Sequence, residues 1–190
     1  NKQRAKFNRF RKIMKQADYV LPVNKTKTFL KKGYDKYCDT TLDIIAHVYE
    51  CEVASSSTSK YERAWLDAVL IRDGEVKACV EVKSRNMNFE LLKERGSLLI
   101  SADKINKGVM VSSRAFEVPF FVFAVLIPDK RVFFWKVSDE KGNFLMPMKM
   151  ESRKTPFNCA GGQRIENVAH LPLDKMREMY FPPEKYFMSL

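Results

Sequence analysis

Apolar residues recur along this chain with two periods, and each period predicts its own kind of element. Phe7, Phe10, Met14 and Ala17 stand at 3-4-3 spacing and predict an amphipathic helix over 1–17, ringed by Lys2, Arg4, Lys6, Arg9, Arg11, Lys12 and Lys15. Pro22 closes that element, and 24–33 reads as a lysine-rich connector. Leu42, Ile45 and Val48 predict a second helix over 34–49, followed by a strand at 50–54 and a serine-rich loop at 55–59. The period then changes to two. Strands at 64–71 and 76–83 flank Asp73-Gly74, a strong hairpin signal. Helices are predicted at 89–95 and 103–114, and a second hairpin, 120–127 with 131–137, turns at Pro128-Asp129-Lys130. The tail is less regular, broken by Gly161-Gly162 and Pro182-Pro183.

Composition adds little to this picture, but charge adds a good deal. The 190 residues are 45% hydrophobic and 30% charged, which is ordinary for a globular chain with one core. No apolar run approaches the roughly 20 residues of a membrane-spanning helix, and no signal-peptide pattern follows Asn1, so the expectation is a soluble intracellular, cytoplasmic protein. Cys38, Cys51, Cys79 and Cys159 lack metal-ligand spacing and are read as reduced thiols; His47, on an apolar helix, is read as a core histidine. The net charge is +11. Residues 1–36 hold twelve Lys/Arg against Asp18 and Asp35, a net +10, while the rest holds 22 against 21. Almost the whole excess therefore sits in the N-terminal fifth. That distribution points to a basic arm that tracks a polyanion, with Arg4, Arg9, Arg11 and Lys12 as phosphate contacts.

Candidate chemistry comes from strand alternation. On the return strand, Val76, Ala78, Val80 and Val82 share one face and are assigned to the core; Lys77, Cys79, Glu81 and Lys83 share the other. Trp65, Asp67 and Val69 share a face of the preceding strand. Asp67 lies six residues before Asp73 and Glu81 seven after Gly74, which brings the two carboxylates together. Paired carboxylates suit Mg²⁺, a hard cation with oxygen ligands and retained waters. A lysine beside them supplies a cation for an attacking water and for charge developing on phosphorus.

Trp65-Leu66-Asp67, followed after fourteen positions by Glu81-Val82-Lys83, resembles the PD-(D/E)xK nuclease superfamily, with Leu66 where the motif's name has proline. That superfamily includes restriction enzymes, phage exonucleases and endonucleases, and archaeal-type Holliday-junction resolvases. The resemblance implies an α/β (α+β mixed) restriction-endonuclease-like core over 34–137, with a central mixed sheet of about four to five strands flanked by helices. A basic helical arm (1–33) precedes it and an extension packed on the core (138–190) follows. It implies Asp67 and Glu81 as metal ligands, the Val82 carbonyl as a third, and Lys83 as the catalytic lysine. An acidic residue from the preceding helix, Asp39 ahead of Asp43, would complete the set; Glu50 and Glu52 are weaker choices. Lys104 and Lys107 on the following helix, with Ser84 and Arg85, would approach the phosphates, and the 161–164 turn is a weaker candidate.

The function implied is a Mg²⁺-dependent deoxyribonuclease, an endonuclease in preference to an exonuclease, with Mn²⁺ able to substitute. The partner implied is DNA, a homodimer is left open, and a phage-encoded protein acting in a host cell fits. The alternatives are a catalytically inactive or structural nucleic-acid-binding protein of the same fold, and a site acting on RNA. Removal of residues 1–17 is expected to weaken DNA binding and flatten its salt dependence, measured as the slope of log K against log salt. An unchanged slope would make the arm a purely structural element.

Overall fold

The computed structural model describes residues 27–55, 65–155 and 163–187. The predicted arm helix, residues 56–59 of the serine run and the 161–162 glycine pair lie outside the described residues, as do Arg4, Arg9, Arg11, Lys12 and Cys159; Ser55 ends the first strand instead of opening a loop.

Helix α1 spans Lys27–Val48, so the predicted connector is helical from Lys27 onward. No proline lies between Lys27 and Val48, and lysine is a good helix former; Gly33 costs only about 1 kcal/mol relative to alanine and does not stop the helix. Its inward residues Leu42, Ile44 and Ile45 pack on Ala68, Leu70, Val80 and Val82. His47 is exposed, not buried, because it falls off that stripe; its ring lies 6.0 Å from that of Tyr186.

The main sheet has six strands in the order β1-β2-β3-β5-β6-β9: β1 Glu52–Ser55, β2 Ala68–Arg72, β3 Glu75–Arg85, β5 Phe120–Leu126, β6 Arg131–Ser138 and β9 Arg177–Met179. Only β3 and β5 pair in parallel, so the sheet is mixed as expected, with one strand more than the predicted range. The crossover between them carries α2 (Phe89–Arg95), β4 (Ser97–Ser101), α3 (Ala102–Val111) and a π-helical turn, Ser112–Phe116. Asn88 caps α2 through its side chain, and Gly96 ends it in the left-handed region at φ 70°.

A second, three-stranded antiparallel sheet, β4-β8-β7, uses β7 Lys149–Lys154 and β8 Ile165–Pro172. Neither β4 nor the regular tail was predicted. The partner of β4 lies about seventy residues downstream, and local pattern carries no trace of so distant a pairing. Leu98, Ile100, Ala169 and Leu171 turn inward from this sheet onto the main sheet. Trp135 Nε1 donates to the Pro172 carbonyl at 2.8 Å and ties the two sheets together. The last helix, α4, is Pro183–Phe187. Among the described residues no helix is long and apolar enough to cross a membrane.

The β2–β3 hairpin carries an irregularity that matters for the site. Asp73 and Gly74 both have positive φ, as the two-residue turn requires. Arg72 pairs Glu75 and Ile71 pairs Val76, but Leu70 pairs Ala78, which leaves Lys77 as the extra residue of a bulge. The bulge reverses the facing of everything before it. Val76 therefore packs with Val69 and Cys79, while Ala78, Val80 and Val82 face α1, and the predicted common face for Val76 does not hold. Both faces of β3 are covered by core rather than one.

Helix α3 lies very close to β5. A Cβ on Gly108 would stand 2.2 Å from the Phe120 ring, so only glycine allows this approach. Gly108→Ala is expected to destabilise the protein by about 1–3 kcal/mol, read from the urea midpoint. An unchanged midpoint would show that helix and ring separate freely.

Candidate functional site

Asp67 stands immediately before β2. Its N–H donates to the Val80 carbonyl at 3.2 Å, and its Oδ2 accepts from the Val82 N–H at 2.7 Å. The carboxylate thus closes the ladder at the point where β2 parts from β3. Ala68 pairs Val80, and continuing that register sets Asp67 opposite Glu81. Without the bulge at Lys77, Asp67 would oppose Val80 and share its face, away from Glu81.

Glu81 is fully buried, at 0% exposure. Its Oε1 lies 2.5 Å from Lys83 Nζ and 3.2 Å from Lys104 Nζ, and its Oε2 lies 3.3 Å from Lys104 Nζ. Burial pushes its carboxyl above the usual range, the nearby Asp67 charge adds to that, and the two lysines oppose it. Burial works against the Lys83 ammonium, but Glu81 and Asp67 together outweigh it and hold that group above its usual range. The arrangement is two carboxylates in electrostatic contact, one sealed from water and held by two ammonium groups.

Residues 34–179, more than three quarters of the chain, match the family model described as "Phage putative PDDEXK endonuclease". The chain belongs to that family. No curated protein and no solved structure gives a significant match.

In this PDDEXK family member, the sequence candidates divide by strand face. Glu81, Lys83 and Arg85 alternate onto one side of β3. Lys104 joins them from the first turn of α3, and the pairing with Glu81 was not anticipated. A glycine inside a helix was the available signal: Gly108 lies one turn further along the same face of α3 and brings that face down onto the sheet. Lys107 pairs with Asp103 at 2.8 Å, and its Nζ sits 5.8 Å from the Trp65 ring centre. Arg85 donates to the Leu99 carbonyl at 2.7 Å and to the Ser84 carbonyl at 3.1 Å.

Ser84 is buried on the other face of β3, its Oγ 3.8 Å from Cys38 Sγ. The Cys38 thiol also reaches the Val82 carbonyl, at 3.9 Å, so α1 touches the backbone of the site at the carbonyl singled out as a ligand. Burial pushes this thiol up. Asp39 and Asp43 are both exposed on α1. Among the described residues no three His, Cys, Asp or Glu side chains stand together as an ion site, so the structure does not gather either aspartate with Asp67 and Glu81.

The donor set still suits a hard cation. Mg²⁺ uses one or two carboxylates and completes its shell with waters and substrate phosphates, and here two carboxylates lie in electrostatic contact. The electrostatics of the pair can be tested apart from any activity. Lys83→Met leaves buried Glu81 with Lys104 alone, and the expected loss is about 3 kcal/mol at pH 8. A carboxyl raised in the folded state stabilises below its unfolded value, near 4.5, and that contribution is lost as pH rises through the folded value. The deficit should therefore shrink as pH falls toward 4.5, and urea unfolding across that range would reveal it. A deficit that is flat with pH would mean that Glu81 keeps its charge without Lys83.

Proposed function

We propose that this protein is a divalent-metal-dependent endonuclease that hydrolyses phosphodiester bonds in DNA, with Mg²⁺ as its ion and Mn²⁺ able to substitute. One observation carries the reading: Glu81, wholly buried, faces Asp67 across a hairpin and is neutralised by two lysines from two different elements. A buried charge arranged in this way is costly to keep for structure alone. Membership of the endonuclease family supports the same conclusion.

In this reading Asp67, Glu81 and the Val82 carbonyl would hold the ion. When bound, the ion supplies Lewis acidity toward a phosphate oxygen and lowers the pKa of a water. The chain's own groups do the rest. Glu81 has two oxygens, and in the described arrangement both are within reach of an ammonium group. Lys83 Nζ, turned from Glu81 toward substrate, orients the attacking water and offsets charge gathering on the phosphorane oxygens. Lys104, on the first turn of α3 and paired with Glu81, would meet the adjacent phosphate. The apolar packing of Leu66, Val69, Cys79 and Val122 beneath Glu81 excludes water from that side and strengthens each of these interactions.

The test is a panel of supercoiled, linear, single-stranded and branched DNA incubated with Mg²⁺ or Mn²⁺. Nicking or linearisation of a closed circle is expected, since no free end is needed. Asp67→Ala and Lys83→Ala should each lower the rate at least 10²–10³-fold while DNA affinity changes little. Normal cutting by Lys83→Ala would remove that residue from the mechanism, and an intact circle under all conditions would favour a binding role for the fold.

A further inference from the structure

The second sheet has two unlike faces. Leu98 and Ile100 of β4 and Ala169 and Leu171 of β8 point into the core. The outer face carries Ser97, Leu99, Val168 and His170, with Glu151 and Arg153 from β7. A polar chain crosses all three strands. Ser97 Oγ lies 2.8 Å from His170 Nδ1, His170 Nε2 lies 3.1 Å from Glu151 Oε1, and Arg153 Nε lies 2.5 Å from the same oxygen.

This face is concave. A groove of about 690 Å³ runs over it, with Ser97, Leu99 and His170 in its floor and Arg95, Arg153 and Lys154 in its walls. Among the described residues lining it, Glu166 is the one carboxylate. The groove adjoins the site. Arg85 lies two residues beyond Lys83 on the same face of β3, and its guanidinium rests on the carbonyl of Leu99 in the groove floor. At its other end β4 runs directly into α3, which carries Lys104 to Glu81. Lys104, Lys83 and Arg85 therefore link the two carboxylates to β4, and Arg95 stands two residues before that strand.

We propose that this groove carries the sugar-phosphate backbone of the nucleic acid away from the Asp67–Glu81–Lys83 site, with Arg95, Arg153 and Lys154 as phosphate contacts. The proposal rests on the nucleic-acid reading of that site. From Ser97 to Ser101 the strand extends about 13 Å at roughly 3.3 Å per residue. That length matches about four nucleotides of one strand at 3.4 Å each. Contacts to phosphate fix register and orientation without reading bases, so the groove sets where the chain lies on its substrate and not which sequence it prefers. Arg95 and Lys154 are exposed and matter most; Arg153 is partly occupied by Glu151.

The experiment measures binding of a labelled 30-base-pair duplex by anisotropy, with Ca²⁺ in place of Mg²⁺, across a salt series. Arg95→Glu with Lys154→Glu is expected to raise Kd at least tenfold at 150 mM salt and to lower the salt slope by about 2, near 0.9 per lost contact. Arg95→Gln with Lys154→Gln should fall between this variant and the unmodified chain. Lys136→Glu with Lys185→Glu changes net charge equally. Lys136 is exposed on the α1 side of β6 and Lys185 on α4, which packs against α1, so this control should shift Kd less than about threefold. The groove is ruled out if its variant binds with unchanged affinity and slope, or if the control loses as much. Failure of the unmodified protein to cut any DNA would count against the nuclease reading, while the binding series still decides the groove.

Discussion

A carboxylate with no exposed surface, set in a mixed sheet, costs several kcal/mol to keep charged unless cations come in with it. Glu81 is that group, and much of the architecture can be understood as meeting its requirement. Lys83 approaches from two residues along the same strand, Lys104 from the first turn of a helix more than twenty residues later. Asp67 adds a second negative charge that only makes the demand greater.

Two structural devices hold the cluster. The bulge at Lys77 shifts the β2–β3 register by one residue, so that Asp67 arrives opposite Glu81 rather than opposite Val80. Gly108 lets α3 press against Phe120, which carries Lys104 down to the carboxylate. Around them the sheet is clad on both sides. Helix α1 covers Ala78, Val80 and Val82, while α3 and the second sheet cover Cys79, Val122 and Trp135. The second sheet then serves two faces: an apolar one that completes the core and a polar one that extends from the site.

Much of this was legible from residues alone. The Asp73-Gly74 turn, the alternation of β3, the β5–β6 hairpin and the helix before the first strand all come from local rules that a short window contains. The trio Asp67, Glu81 and Lys83 could be named from its spacing about the turn, although the turn alone sets Asp67 opposite Val80 and the bulge at Lys77 is what brings it to Glu81. The sheet that β4 forms with β8 could not be read this way. Its pairing spans about seventy residues, and a five-residue strand such as Ser97–Ser101 has no local feature that separates it from a link between helices. The apolar pattern starts helix α1 only at 34, because its first two turns lack an apolar stripe, although nothing in them breaks a helix.

Sequence by itself determined the mixed architecture, the hairpin, the choice of Asp67, Glu81 and Lys83 as candidates and the concentration of positive charge near the N-terminus. These depend on backbone geometry and side-chain type within a few residues of one another. Tertiary structure decided the burial of Glu81, the recruitment of Lys104, the contact of Cys38 with the Val82 carbonyl and the turning of Ser84 away from the site. It also decided the groove beyond Arg85. The physical reason is common to all of these. Burial, and the charge balance that burial forces, depends on which distant segments pack together, and hydrophobic packing is non-directional enough that local pattern does not specify the partner.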